Sequence, residues 1–290
     1  MSSLIFDRPA LTCFRSRAAC KTGTGRCDFL LQHVANDVID RLSLIKREFG
    51  LALNYGCHGS LASSLLQNMP QVHHLISSDF VAELVEETSG FRVIADEELF
   101  PFQAESFDLI VSLLNLQWVN DLPGSLVQIR QGLKPDGVFI AATLGRDSLS
   151  ELRHCLLQAE DEIYGGSSAR VAPFADVRDL GHLLQRAGFT LPVTDRDLLT
   201  VRYSSCQDLM NDLRAMGASN ALQARSRHPV SRRYFERVDE LYHAQFADED
   251  GRLRASFEVI YLLGWAPHPD QQQPLKPGSA AVSLRDVFET

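Results

Sequence analysis

FDLIVSLLNLQWVNDLPGSLVQIRQGLKPDGVFIAATL, residues 107–144, holds the unit from which the fold can be read. Its opening, Phe107–Leu114, is almost wholly apolar, as a strand buried on both faces must be. After NLQWVNDLP the segment GSLVQIRQGL is predicted helical. It closes at Lys134-Pro135-Asp136-Gly137, which has Pro and Gly where turn chemistry wants them. Val138–Leu144 is then a second strand. Strand, helix and strand in this order imply a parallel pair joined by a right-handed crossover.

The same rhythm extends towards the N-terminus. FVAELVEET (80–88) reads as a helix between the strands VHHLISSD (72–79) and FRVIAD (91–96). Upstream, Leu51-Ala52-Leu53 reads as the first buried strand. It stops at the turn Asn54-Tyr55-Gly56-Cys57-His58-Gly59-Ser60, and SLASSLLQNM continues as a helix. Such a turn aims free helix N–H groups at whatever sits above the strand end, where open α/β sheets bind ligands. Before it, Leu30, Val34, Val38 and Leu42 form an i, i+4 ladder on a helix starting at Asp28. The pattern predicts a mostly parallel sheet with helices on both faces, without choosing its strand order.

Past residue 145 the alternation loosens. Ser148–Tyr164 is predicted as a long helix, GGSSARVAPF (165–174) as a connector and Val177–Gly188 as a helix. Asp195–Tyr203 and Phe257–Trp265 read as strands, with helices over about 205–217 and 231–246 inserted between them. The expected division is 1–49, an N-terminal helical segment; 50–204, the core; 205–250, a helical lid; 251–266, a last core strand; and 267–290, a poorly ordered tail.

Composition narrows the function. A net charge of −9 over 290 residues argues against nucleic-acid binding. Arg225, Arg227, Arg232 and Arg233 are read as solvating a helix or its entry loop. No apolar run reaches the ~20 residues that span a bilayer, which leaves peripheral membrane association open. The start carries Arg8, Arg15 and Arg17 without an apolar signal core; it reads as a bacterial cytoplasmic start, or as a matrix-targeted one in a eukaryote. The six cysteines show no C-x-x-C and no Cys/His metal spacing, so no metal site is expected. Cys13, Cys20 and Cys27, seven apart, would stack on one helical face. KTGTGR (21–26) lacks the strand before and the Lys-Ser/Thr after that a phosphate loop needs.

The order strand–Gly turn, strand-Asp79, strand-Asp96, FDLIVSLLNLQWVNDLP, LKPDGVFIAATLG resembles the class I S-adenosylmethionine-dependent methyltransferases. More narrowly, IFDR (5–8), DFLLQHVA (28–35), residues 95–153 and FADVRDLGHLLQRAGF (174–189) resemble the complex I assembly factor 5 branch and its bacterial relatives. The malonyl-acyl-carrier-protein O-methyltransferases share the pattern less closely. The resemblance implies a Rossmann-like seven-stranded sheet with a reversed last hairpin, and a helical insertion before the last strand as lid or substrate cap. It implies S-adenosyl-L-methionine as cofactor and a protein substrate, a complex I subunit among the candidates. It also carries over the branch's arginine hydroxylation, which nothing in the spacing of the residues shows.

A methionine-nucleoside cofactor makes demands that can be sought residue by residue. Its amino-acid end needs a close-approach turn, which places Tyr55, Gly56 and Cys57 at the cofactor. Its ribose needs a carboxylate after the second strand, Asp79, with Phe80 beside it; the competing role for Asp79 is helix N-cap. Its adenine needs an acceptor after the third strand, Asp96 or Glu97, the latter equally readable as an exposed loop acid. Ser112, Leu113 and Leu114 would line the cofactor, and Asn115, Gln117 and Trp118 the substrate side, Trp118 being also a candidate for plain core packing. No catalytic residue is assigned, and methyl transfer needs little beyond alignment. Related turns carry Asp-x-Gly-x-Gly-x-Gly. Here the acid is Asn54, the second glycine His58 and the third Ser60, so the site is weakened, altered or vestigial. Three functions stay open: an assembly-type enzyme modifying a protein side chain, a non-catalytic assembly chaperone, or a malonyl-carrier-protein methyltransferase. A dinucleotide oxidoreductase fits worse, for want of G-x-G-x-x-G.

Overall fold

The computed structural model describes residues 4–20, 27–272 and 278–279. Seven strands form one sheet in the order β3-β2-β1-β4-β5-β7-β6. They are β1 (Phe49–Tyr55), β2 (Val72–Asp79), β3 (Phe91–Ile94), β4 (Phe107–Leu113), β5 (Leu133–Leu144), β6 (Thr190–Tyr203) and β7 (Leu253–Trp265). β1 to β5 pair in parallel, and β7 runs antiparallel to both β5 and β6. This is the reversed terminal hairpin of the Rossmann-like class I methyltransferase fold.

Alternation along the strands builds two cores. Leu109, Val111 and Leu113 of β4, with Val138, Ile140 and Ala142 of β5, face one layer. It is completed by α2 (Phe29–Ser43), α3 (Ser60–Gln67), α6 (Ser150–Tyr164), α8 (Cys206–Ala215) and α9 (Arg232–Phe246). Ile110, Phe139 and Ala141 face the other, under α5 (Leu122–Gly132) and α7 (Val177–Arg186). The predicted ladder of Leu30, Val34, Val38 and Leu42 is buried on α2, as its 3.6-residue period requires.

Three local expectations change. Lys134–Gly137 is no free turn: it lies inside β5, where the register moves from Phe107↔Leu133 to Leu109↔Val138. The Pro and Gly therefore serve a bulge, with Asp136 at φ 64°. Cys13, Cys20 and Cys27 do not share a helical face, because α1 (Arg8–Ala19) ends at Cys20, its C-cap. The helix predicted over 80–88 shrinks to α4 (Ala82–Glu86). KTGTGR (21–26) and most of the tail after 272 lie outside the described residues.

Two elements position the site. The insertion between β6 and β7 is tied to the body through α9, where Tyr234 donates to the Leu156 carbonyl at 3.0 Å and Arg237 pairs with Glu162 at 2.6 Å. The N-terminal strap is held from both sides. Phe6 bridges to Leu222, Asn120 accepts from the Ile5 and Phe6 amides at 2.8 Å each, and Arg225 pairs with Asp7 at 2.9 Å. Asp7 also caps α1 by accepting from the Ala10 amide, with Pro9 in the first turn.

Candidate functional site

The site sits at the carboxyl ends of β1, β2, β3 and β4. After Tyr55, the Gly56 and Cys57 amides donate to the Ser78 carbonyl at 2.9 Å each, which folds the chain over the end of β2. Gly56 has φ +80°, and a Cβ there would stand 2.1 Å from Asn115 Nδ2. No other residue type fits that close approach. His58 takes φ 51° and Gly59 φ 95° before α3 begins. The turn thus holds His58 in the left-handed region, at the strain that αL costs an ordinary residue.

Asp79 is not the N-cap of the helix that follows it. It is fully buried, accepting from the His58 amide at 3.1 Å and from the Val81 amide at 3.0 Å. It ties the β1 turn to the β2 end, and Val81 occupies the N-cap of α4 instead. Burial pushes its carboxyl above the ordinary range, and Arg15 pulls it back. Asn54 donates to Ser63 Oγ at 3.0 Å, and Ser63 contacts Ser77 Oγ at 2.9 Å, an uncharged network that carries no desolvation cost of a second charge.

The groups that sequence reasoning missed are on α1. Arg8 binds Asp96 Oδ1 and Glu97 Oε2, both at 2.7 Å. Arg15, only 3% exposed, donates to Asn115 Oδ1 at 2.7 Å. Both guanidinium groups lie over the Phe80 ring, 4.2 and 4.9 Å from its centroid. Glu97 is no exposed loop acid: its side chain is fully buried. Burial, aided by the Asp79 charge, pushes its carboxyl up to about 7, against Arg8 and Arg15. A readable signal existed, since Arg8, Leu11 and Arg15 fall on one helical face.

Other expected residues divide. Leu113 sends its side chain into one core, and Tyr55 into the other, where its hydroxyl still donates to the Asp96 carbonyl at 3.3 Å. Cys57 is buried, its Sγ 3.8 Å from the Leu84 carbonyl, and burial raises its thiol, which makes it no nucleophile. Ser112 and Asn115 are buried at the end of β4. Gln117 bridges the Leu114 carbonyl and Thr143 Oγ1 at 2.7 and 3.1 Å. Trp118 packs edge-on to Phe6 at 5.5 Å, so it is both core and cleft wall.

A cleft of about 740 Å³, partly open to solvent, is lined by Arg15, His58, Leu114, Gln117, Trp118 and Met216, among others. A second cavity of about 980 Å³ meets it at Trp118, Leu144 and Ala218 and is walled mainly by Leu152, Leu156, Val171, Phe174, Met210 and Leu213. On α1 and at the carboxyl ends of the strands, buried polar atoms lack a hydrogen-bond partner among the described residues: Arg8 Nε and Nη1, Arg15 Nη2, Asn54 Oδ1, Glu97 Oε1, Ser112 Oγ and Asn115 Nδ2, of which Arg15 also lines the first cleft. Each such group costs roughly 1–3 kcal/mol. Their concentration at one sheet edge, with donors and acceptors both represented, fits a polar ligand of the S-adenosylmethionine type. Among the described residues, no three His, Cys, Asp or Glu side chains are grouped as a metal set.

Residues 30–192 match the family described as "Methyltransferase domain". Human arginine-hydroxylase NDUFAF5, mitochondrial, is 39% identical over 98% of this chain and 83% of its own length. The malonyl-[acyl-carrier protein] O-methyltransferase of Methylovorus sp. is 33% identical over 88% of the chain and 90% of its own. Among solved structures, the YcgJ protein of Bacillus subtilis superposes with a TM-score of 0.56 at 14% identity, over 81% of this chain and 99% of that one, and so shares the fold. Sheet order, the glycine turn and these likenesses agree, and the chain belongs to the methyltransferase domain family.

Proposed function

We propose that this protein is an S-adenosylmethionine-dependent enzyme that modifies a protein side chain during assembly of respiratory complex I. The reading is supported by the extended similarity to the arginine-hydroxylase NDUFAF5 proteins. The observation that carries it is the set of buried, unpaired polar atoms around Asp79, Glu97 and the Gly56 turn. In this reading Asp79 receives the ribose hydroxyls, Asp96 and Glu97 the adenine end, and Ser112 borders the cofactor. Asn115, Gln117 and Trp118 face the substrate side. Bound S-adenosylmethionine supplies an electrophilic methyl group. The chain's own share is alignment and the exclusion of water by the strap, α1 and the α8–α9 insertion.

Calorimetric titration with S-adenosylmethionine tests this. Saturable binding that Asp79→Ala abolishes is expected, and no heat at millimolar cofactor would remove the enzyme reading. Mass spectrometry of the modified partner subunit then distinguishes an added methylene from an added oxygen. A second reading, a non-catalytic assembly role, is favoured by the way Arg8 and Arg15 already pair with or face the site's acids. It requires a folded Asp79→Ala protein to support complex I assembly in a deletion strain as well as the unaltered chain does. The carrier-protein reading wanted a free basic face at 225–233. There Arg225 is engaged by Asp7 and Arg232 by Glu236 at 2.9 Å each.

A further inference from the structure

Arg15 is buried in a manner that protein partners alone do not explain. The residue is 3% exposed, yet it lines the first cleft, and one of its terminal nitrogens has no hydrogen-bond partner among the described residues. Burial disfavours its charge. Even so, the surroundings fix it in place. Asn115 holds Nη1, and Asn115 itself is wedged against Gly56. From behind, Gly217 at the end of α8 leaves no room for a Cβ beyond 3.0 Å of the Arg15 stem.

The direction of α1 says which part of a ligand this nitrogen meets. Arg8 stands at the Asp96–Glu97 end of the site and Arg15 at the glycine-turn end. Seven helical residues separate them, roughly 10 Å. That span is comparable to the distance between the nucleobase and the amino-acid tail of an extended S-adenosyl ligand. The nearby charges of Asp79 and Glu97 favour the charged guanidinium, while its Nη2 is left without a hydrogen bond among the described residues. We infer that Arg15 is the counter-ion for the carboxylate at the amino-acid end of the S-adenosyl cofactor and sets the preference for ligands carrying that carboxylate. The inference rests on the cofactor reading above and adds a specificity-determining residue to it.

The test compares S-adenosylmethionine with decarboxylated S-adenosylmethionine, which differ by that one group, on the full-length chain by calorimetry and thermal shift. The unaltered protein should bind the carboxylate-bearing ligand about 10- to 100-fold more tightly, as a charge-assisted hydrogen bond implies. Arg15→Met should lose that preference by weakening S-adenosylmethionine alone, with the decarboxylated ligand unchanged within about twofold. Arg15→Lys, which keeps the charge but not the two-pronged geometry, should retain an intermediate preference and serves where Arg15→Met fails to fold. If neither ligand binds the unaltered protein, the cofactor reading itself fails. Should both bind it equally, or should either variant weaken both ligands alike, Arg15 is a structural residue and the inference is overturned.

Discussion

The two cavities that meet at Trp118 are built on opposite terms. The cleft beside α1 takes the buried Arg15 into its lining, and Arg15 belongs to a charged group with Arg8, Asp79 and Glu97 in which several nitrogens and oxygens are unpaired among the described residues. The cavity beyond Trp118 is bounded mainly by leucine, valine, phenylalanine and methionine, and of its two arginines Arg170 is committed to Glu160 at 2.6 Å and Arg214 donates to Asn211 at 2.9 Å. An apolar hollow costs a fold little beyond lost packing contacts. Buried charges with unmet hydrogen bonds cost far more, so a chain that keeps them does so for a ligand. The contrast assigns chemistry to the first space and shape to the second.

The largest test of that contrast is Asp79→Ala. It removes the acceptor for the His58 and Val81 amides as well as the proposed ribose ligand. Cofactor affinity should fall by at least about 100-fold, read by calorimetry. A comparable truncation across Trp118, Met210→Ala, should leave affinity within about twofold. Equal losses from both would break the distinction. Gly56→Ala comes next: its Cβ would collide with Asn115, in a left-handed backbone that alanine disfavours. Destabilisation of about 2–3 kcal/mol is expected in denaturant titration. Gly166→Ala, where nothing lies within 4 Å, should change stability by less than about 0.5 kcal/mol.

Glu97 sharpens the comparison through pH. Its folded pKa of about 7 stands above the ordinary 4.5, so the folded protein holds the proton more tightly than the unfolded chain does. The stability this contributes is complete below the unfolded value and is lost as pH rises through about 7. Glu97→Gln mimics the protonated form and should gain on the unaltered protein between pH 5 and pH 8, by on the order of 2 kcal/mol. Melting temperatures of both proteins across that range check it. A gap that does not widen with pH would mean that Arg8 and Arg15 fully offset the burial.

What could be read beforehand follows the same division. Strand positions were legible because buried parallel strands are continuous apolar runs, as in Phe107–Leu113 and Val138–Leu144. The positions of Asp79 at the end of β2 and of Asp96 just after β3 were legible because each closes an apolar strand run. Arg8 and Arg15 were not assigned, since only tertiary docking of α1 brings them to acids more than sixty residues away. Glu97 shows the same limit: adjacent loop acids differ in burial, with Asp96 43% exposed at its side chain and Glu97 sealed. The altered turn raised doubt on residue identity alone. The structure shows His58 keeping the left-handed geometry and Asn54 absorbed into a serine network, changes that composition could not evaluate.

A small effect on stability is also expected in the apolar cavity. Ala172, 8% exposed, lines that space. Ala172→Leu would push three more carbons into volume that is already empty, so the overpacking penalty of a filled core does not apply. Stability should move by less than about 1 kcal/mol in either direction, and cofactor affinity should not change. If the cavity receives part of the substrate, modification of the partner protein should nevertheless drop, with the loss in KM for that partner rather than in cofactor binding. An unchanged KM would mean that shape beyond Trp118 plays no part in recognition, and the polar cleft alone would then carry the function of both spaces.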